Sequence, residues 1–123
     1  MKIRHAASAA ALAVALAVLG APALASPGSE ALDRVAVDFV RLTLEAGERE
    51  PGYVDAYYGP KDWQDAAKAA PRPVSVLRKE ADRLQMLLAK VPDKDLTADQ
   101  RRRKLFLRGQ LKAAQTRLAM IAG

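Results

Sequence analysis

The sequence contains no cysteine. Disulfide frameworks, thiol nucleophiles and thiolate-held zinc are therefore excluded, as is a lipid-modified cysteine at a leader junction. Histidine is nearly as scarce, with one copy, His5, close to the start. Once that start is removed, Ser-His-Asp and Cys-His arrangements and every histidine-bearing zinc motif are impossible. Aromatic residues are few, with two Phe, three Tyr and one Trp in 123 residues, and β-branched residues are too sparse for a sheet. After the opening stretch there is no second long apolar run, so nothing later in the chain reads as a membrane anchor.

The opening stretch has the grammar of an export leader. Lys2 and Arg4 make a positive start, an uncharged apolar run extends from Ala6 to Leu19, and Gly20 and Pro22 break it. Ala23-Leu24-Ala25 then places small residues where a signal peptidase reads them. The apolar run is shorter than the roughly 20 residues that a bilayer span needs. A signal peptide over 1–25, cut after Ala25, is expected, with export to the periplasm or the medium. The formal net charge of the whole chain is +6, and cleavage removes two cations and no acids, leaving 18 Lys and Arg against 14 Asp and Glu, or +4. A product of about 98 residues buries somewhat over 60% of the surface its unfolded chain exposes, which is enough for one modestly stable domain.

What remains is rich in Ala, Leu, Arg, Lys, Glu and Asp, the composition of helices, and the fold class expected is all-α, an irregular bundle of about four helices. Leu32, Val35, Ala36, Phe39, Leu42, Thr43 and Ala46 recur at steps of three and four, with Ser29 as N-cap and Gly47 as stop, predicting a helix over about 30–46. A second helix is expected over 60–70, burying Trp63, Ala66, Ala67 and Ala70 and ended by Pro71 and Pro73. A third over 74–91 places Leu77, Ala81, Leu84, Leu87, Leu88 and Val91 inward, with Ser75 as a candidate cap. Thr97 and Gln100 match a capping box, so the last helix starts at Ala98. Along it Leu107, Leu111, Ala114, Leu118 and Ile121 form a seam that needs a facing helix, while Leu105, Phe106 and Met120 add apolar surface beside that seam.

Between the first two helices lies the segment from Glu50 to Trp63, which holds all three Tyr and the sole Trp between two breaks, Pro51-Gly52 and Gly59-Pro60. Pro51 can open a short helical turn and Gly59 can close it in a left-handed conformation. In such a turn Tyr53 and Tyr57 share one face, and Asp55 and Tyr58 another. Two readings stand for Tyr53, Asp55, Tyr57, Tyr58 and Trp63. Rings with polar tips can line a groove for a sugar, peptide or aromatic ligand. Alternatively the rings pack between helices and the hydroxyls bond Asp55, Asp62 or the main chain. Catalysis by carboxylates alone would need pairs such as Asp62 with Asp65 or Asp93 with Asp95, and both pairs sit where acids commonly cap helices and turns. No metal site and no cofactor is expected. The densest cationic run, Arg101 to Lys104, can attract phosphates or anionic lipid headgroups, but it winds round a helix instead of making one stripe and reads as a solvated helix start paired locally with Asp95 and Asp99; no aromatic residue beside it can stack on bases. Nucleic acid is therefore not an expected partner, and membrane contact is expected only through an uncleaved leader.

The run Pro51-Gly52-Tyr53-Val54-Asp55-Ala56-Tyr57-Tyr58-Gly59-Pro60 with Trp63, followed by Leu105-Phe106-Leu107-Arg108-Gly109-Gln110-Leu111-Lys112-Ala113 and Arg117 to Gly123, resembles the N-terminal helical region of a group of larger, uncharacterised, all-helical bacterial proteins. Those proteins are similar to zinc peptidases with a His-Glu-x-x-His helix. The resemblance spans roughly Leu32 to Gly123. It implies a helical scaffold or cleft wall whose zinc ligands lie downstream, so no catalytic residue is carried onto this chain. A missing C-terminal domain or a protein partner is the companion this implies, and a self-contained binding module is the alternative.

Overall fold

Two reciprocal capping boxes start the two longest helices. The computed structural model describes residues 26–123, and the expected leader over 1–25 lies outside the described residues. At the first box the Ser26 hydroxyl accepts from the Ser29 amide (3.0 Å) and the Ser29 hydroxyl accepts from the Ser26 amide (2.9 Å). The first helix, α1, therefore begins earlier than its apolar pattern suggests and spans Pro27–Arg49. Ser29 is the inner partner of the box and not the cap. Pro27 occupies the first turn, where its missing N–H costs no hydrogen bond. Gly47 does not stop the helix, which continues to Arg49; the left-handed glycine of this region is Gly52, at φ 85°.

The other helices follow as α2 (Lys61–Ala69), α3 (Val74–Ala89) and α4 (Ala98–Ala122), with a 3-10 turn at Asp93–Asp95 between the last two. The second box matches its sequence signal: Gln100 donates its amide to Thr97 Oγ1 at 3.1 Å, and Gln100 Oε1 accepts from the Thr97 amide at 2.9 Å. Ser75 makes no cap, because Pro73 already fills that position and its carbonyl accepts from both Val76 and Leu77. Among the described residues every regular element is helical, and no helix is long and apolar enough to cross a membrane.

The core is built around α1. One side of α1 contributes Leu32, Val35, Ala36, Phe39, Leu42 and Ala46. Facing it are Leu77, Ala81, Leu84 and Leu88 of α3, Leu107, Leu111, Ala114 and Leu118 of α4, and Val91 and Leu96 from the link between them. Helices α3 and α4 run antiparallel, since Gln85 reaches the Arg108 carbonyl while Gln115 reaches Asp82. Each fully buried Leu on this seam contributes about 1.5–3 kcal/mol of transfer free energy. On its other side α1 offers Val40 and Leu44 to a smaller cluster with Ala67 of α2, flanked by Val54, Tyr57 and Trp63.

Four inward expectations, Trp63, Ala66, Ala70 and Leu87, fail because these residues lie at the edges of helix contacts. Helix α2 has nine residues and touches α1 along one edge, so only Ala67 is buried while Ala66 and Ala70 stay exposed and Trp63 is half-buried. Leu87 lies at the rim of the α1–α3 contact and is 39% exposed. In α4, by contrast, the four-three-four seam is buried through Leu118, and Leu105 and Met120 are exposed beside it.

Candidate functional site

The link from Glu50 to Pro60 contains no helical turn. Its five candidates consequently do not divide into the two faces that a helix would give them. Tyr53 packs against the larger core, near Glu50 and Arg117, and burial pushes its hydroxyl pKa up. Tyr57 packs on the opposite flank against Val40, Leu44 and Ala67, beside Trp63. Tyr58 is 71% exposed, and Asp55 is half-buried. A single groove running from Tyr53 to Trp63 is therefore not what the backbone makes: α1 stands between the two ends.

Tyr57 is the strut of this link. Its hydroxyl donates to the Pro60 carbonyl at 2.8 Å, the main-chain option among the partners considered from sequence. Gly59 lets the ring fold back, because a Cβ at that position would stand within 2.7 Å of a Tyr57 ring carbon. Gly59 is needed for close approach, not for a left-handed φ. Burial raises the Tyr57 hydroxyl pKa, assisted by the Asp62 charge. Together with Leu44, Gly47, Asp55 and Gln64, Tyr57 lines a small hollow of about 130 Å³.

A larger groove of about 550 Å³ lies between α1, α2 and the start of α3. One wall is Trp63 with Arg41, whose guanidinium carbon sits 4.5 Å from the ring centroid, a cation–π contact. The small side chains of Ala66 and Ala70 leave it open. Its floor is an ion pair absent from the sequence expectations. Glu45 is buried, and both of its oxygens accept from the Arg72 guanidinium, at 2.8 and 2.7 Å, while Oε1 also accepts from the Arg72 amide at 2.9 Å. Burial alone would raise the Glu45 pKa, but these hydrogen bonds and the Arg72 charge outweigh it and hold the carboxyl below its ordinary value. Arg49 braces the same loop by donating to the carbonyls of Arg72 and Pro71. The opposite wall is Glu80, Arg83 and Asp38: Glu80 receives two bonds from Arg83 at 2.8 Å, and Asp38 one at 3.3 Å. The bonds from Arg83 lower the Glu80 pKa despite burial. A third depression of about 430 Å³, more apolar, runs between the start of α1 and the end of α3, past Val35 and Leu87.

Of the four carboxylates considered for acid–base work, Asp62, Asp65, Asp93 and Asp95, two are held in ion pairs. Asp65 pairs with Lys61 at 2.8 Å and Asp93 with Lys104 at 2.8 Å, the latter interaction holding the Asp93 pKa down. Among the described residues no three His, Cys, Asp or Glu side chains gather as a metal site. Sequence reasoning found Trp63 but missed Arg41, Glu45 and Arg72. One signal for them was legible: Arg72 stands between two prolines, Pro71 and Pro73, which fix the backbone on both sides of it, and Glu45 interrupts the apolar run Leu42 to Ala46. Comparison with protein-family models, curated proteins and solved structures finds no match for this chain.

Proposed function

We propose that the chain is an exported, non-catalytic helical module that acts as scaffold or cleft wall for a larger, peptidase-like assembly. The observation that supports this most directly is the state of the acids around the main groove. Glu45 and Glu80 are each clasped by an arginine that lowers their pKa. A general acid needs the opposite shift, towards the working pH. Acids held in this way position loops and helices: Glu45 ties α1 to the loop after α2, and Glu80 holds Arg83 within α3 while Arg83 also reaches Asp38 on α1. The deciding experiment has two arms. A His-Glu-x-x-His helix encoded in frame beyond Gly123, or in the adjoining gene, is the expected finding. Purified protein that cleaves peptides by itself, and loses that activity on Glu45→Gln or Glu80→Gln, would overturn the proposal.

A second reading, a self-contained binding module, is favoured by one specific feature, the Arg41 guanidinium resting on Trp63 at the rim of the groove. Arg41 is exposed, and among the described residues no carboxylate lies within ion-pairing distance of it. An extended peptide ending in a carboxylate fits an aromatic platform with an adjacent guanidinium. Trp63 is the sole tryptophan, so its fluorescence reports occupancy directly. A saturable change with short peptides that disappears in Arg41→Ala, with the unfolding midpoint unmoved, would support this reading, and a flat titration would dismiss it.

A further inference from the structure

From Gln100 to Gly123 the chain carries seven Lys and Arg residues and no Asp or Glu. The dense run at the start of α4 is largely engaged close by. Arg101 donates to the carbonyls of Asp93 and Leu96, Arg102 to Asp99, and Lys104 to the Val91 carbonyl and the Asp93 carboxylate. Arg117 pairs with Glu50. Arg108 and Lys112 differ: both are exposed, and among the described residues neither has a carboxylate within ion-pairing distance.

Their position on the helix gives them company. Counting 100° per residue from the buried seam of α4, Leu105, Lys112 and Met120 fall on the side turned away from the core, with Arg108 at its edge towards α3. Leu105 is 61% and Met120 68% exposed. On α3 the residues half a turn from Leu77, Ala81, Leu84 and Leu88 are Lys79 and Met86, the latter 55% exposed. The contacts from Gln85 to Arg108 and from Asp82 to Gln115 place these two outward strips side by side. Asp82 borders them on α3, and it accepts from Gln115 at 2.8 Å.

We propose that this outward face of the α3–α4 pair docks on an anionic phospholipid surface, with Met86, Leu105 and Met120 entering the headgroup layer and Lys79, Arg108 and Lys112 meeting its phosphates. Charge complementarity selects the partner, and the layout of the apolar chains separates a bilayer from a protein. A protein interface needs a contiguous apolar centre inside a polar rim. Here single long apolar side chains alternate with cations and with the small residues Gly109 and Ala113 over two antiparallel helices. That is the pattern of an interfacial surface, where each apolar chain inserts on its own and each cation adds attraction to the lipid.

The test is flotation of the purified chain with phosphatidylcholine vesicles, with and without phosphatidylglycerol, at low and high salt. Binding is expected only to the anionic vesicles and is expected to weaken with salt. The double variant Arg108→Glu with Lys112→Glu should lower partitioning at least tenfold, since removal of two surface cations alone is worth roughly 30-fold. A control with the same change in net charge, Lys68→Glu with Lys94→Glu, alters exposed positions on α2 and the 3-10 turn and should stay within about threefold of the parent. Leu105→Ser with Met86→Ser should weaken binding while circular dichroism shows an unchanged helical fold. No flotation with anionic vesicles, or equal losses in the test and control variants, overturns the proposal. Retention on a polyglutamate resin without vesicle binding overturns it too, in favour of an acidic protein partner.

Discussion

At the scale of single residues, one contribution to the fold comes from a charged pair that apolar periodicity cannot reveal. Glu45 has 12% and Arg72 38% of its side chain exposed, so the pair is half desolvated and its removal is not a surface event. Glu45→Gln leaves the Arg72 guanidinium facing a neutral amide and is expected to cost about 1–3 kcal/mol, measured as the shift in urea unfolding at neutral pH. The pH dependence follows from the direction of the shift. The folded-state pKa of Glu45 lies below its ordinary 4.5, so its contribution is fully present above that value and is lost as pH falls through the lower folded-state pKa. Parent and Glu45→Gln should therefore differ most at neutral pH and converge in acid; a constant gap down to pH 2 would mean that charge is not the cause. Gly59 is the other sensitive position. Gly59→Ala must displace the Tyr57 ring and break its bond to the Pro60 carbonyl, costing about 1–3 kcal/mol, whereas Tyr57→Phe removes the bond alone and should cost about 1 kcal/mol. Equal costs for the two would indicate that the ring moves freely.

At the scale of elements, the two capping boxes look alike in sequence and differ in reach. Thr97 satisfies the start of α4 locally. Ser26 also donates its hydroxyl to the Asp95 carbonyl at 3.0 Å and so fastens the start of α1 to the turn before α4. Thr97→Ala should cost about 1 kcal/mol, and Ser26→Ala more, towards 2 kcal/mol, with chemical denaturation of the two variants as the check. The same contrast explains what could be read in advance. The α4 seam and its cap were legible because they depend on spacing alone, and the inward residues of α1 were legible for the same reason. The start of α1 was misplaced because Ser26 and Ser29 both suit a cap, and a tertiary contact to Asp95 selects between them. The Tyr-rich link was legible as a special segment but not as a shape: proline and glycine mark a break without saying which glycine turns left-handed, and here it is Gly52. Arg72 and Glu45 each carry a local mark, the flanking prolines and a charge within an apolar run, but their pairing stayed hidden because they stand 27 residues apart.

At the scale of the whole molecule, α1 belongs to two clusters of unequal strength, and the difference should be visible in how the protein opens. The larger cluster joins α1, α3 and α4 through sixteen buried residues, while the smaller holds α2 and the Tyr-rich link through Val40, Leu44 and Ala67. A nine-residue helix has little stability of its own, and Pro60 gives α2 no side-chain cap. Local opening of α2 should therefore require less free energy than global unfolding. The two routes separate by mutation. Leu111→Val removes one buried methylene, worth about 1 kcal/mol, from the larger cluster, which stays intact when α2 alone opens. Hydrogen exchange of the slowest amides in α1, α3 and α4 should accelerate by about that amount, while the α2 amides keep their parent rates. Val40→Ala should accelerate α2 as well, because the contact it weakens is lost in the local opening. If Leu111→Val instead accelerates α2 and the core helices alike, α2 is part of one cooperative unit, and the groove beside Trp63 is as rigid as the core that backs it.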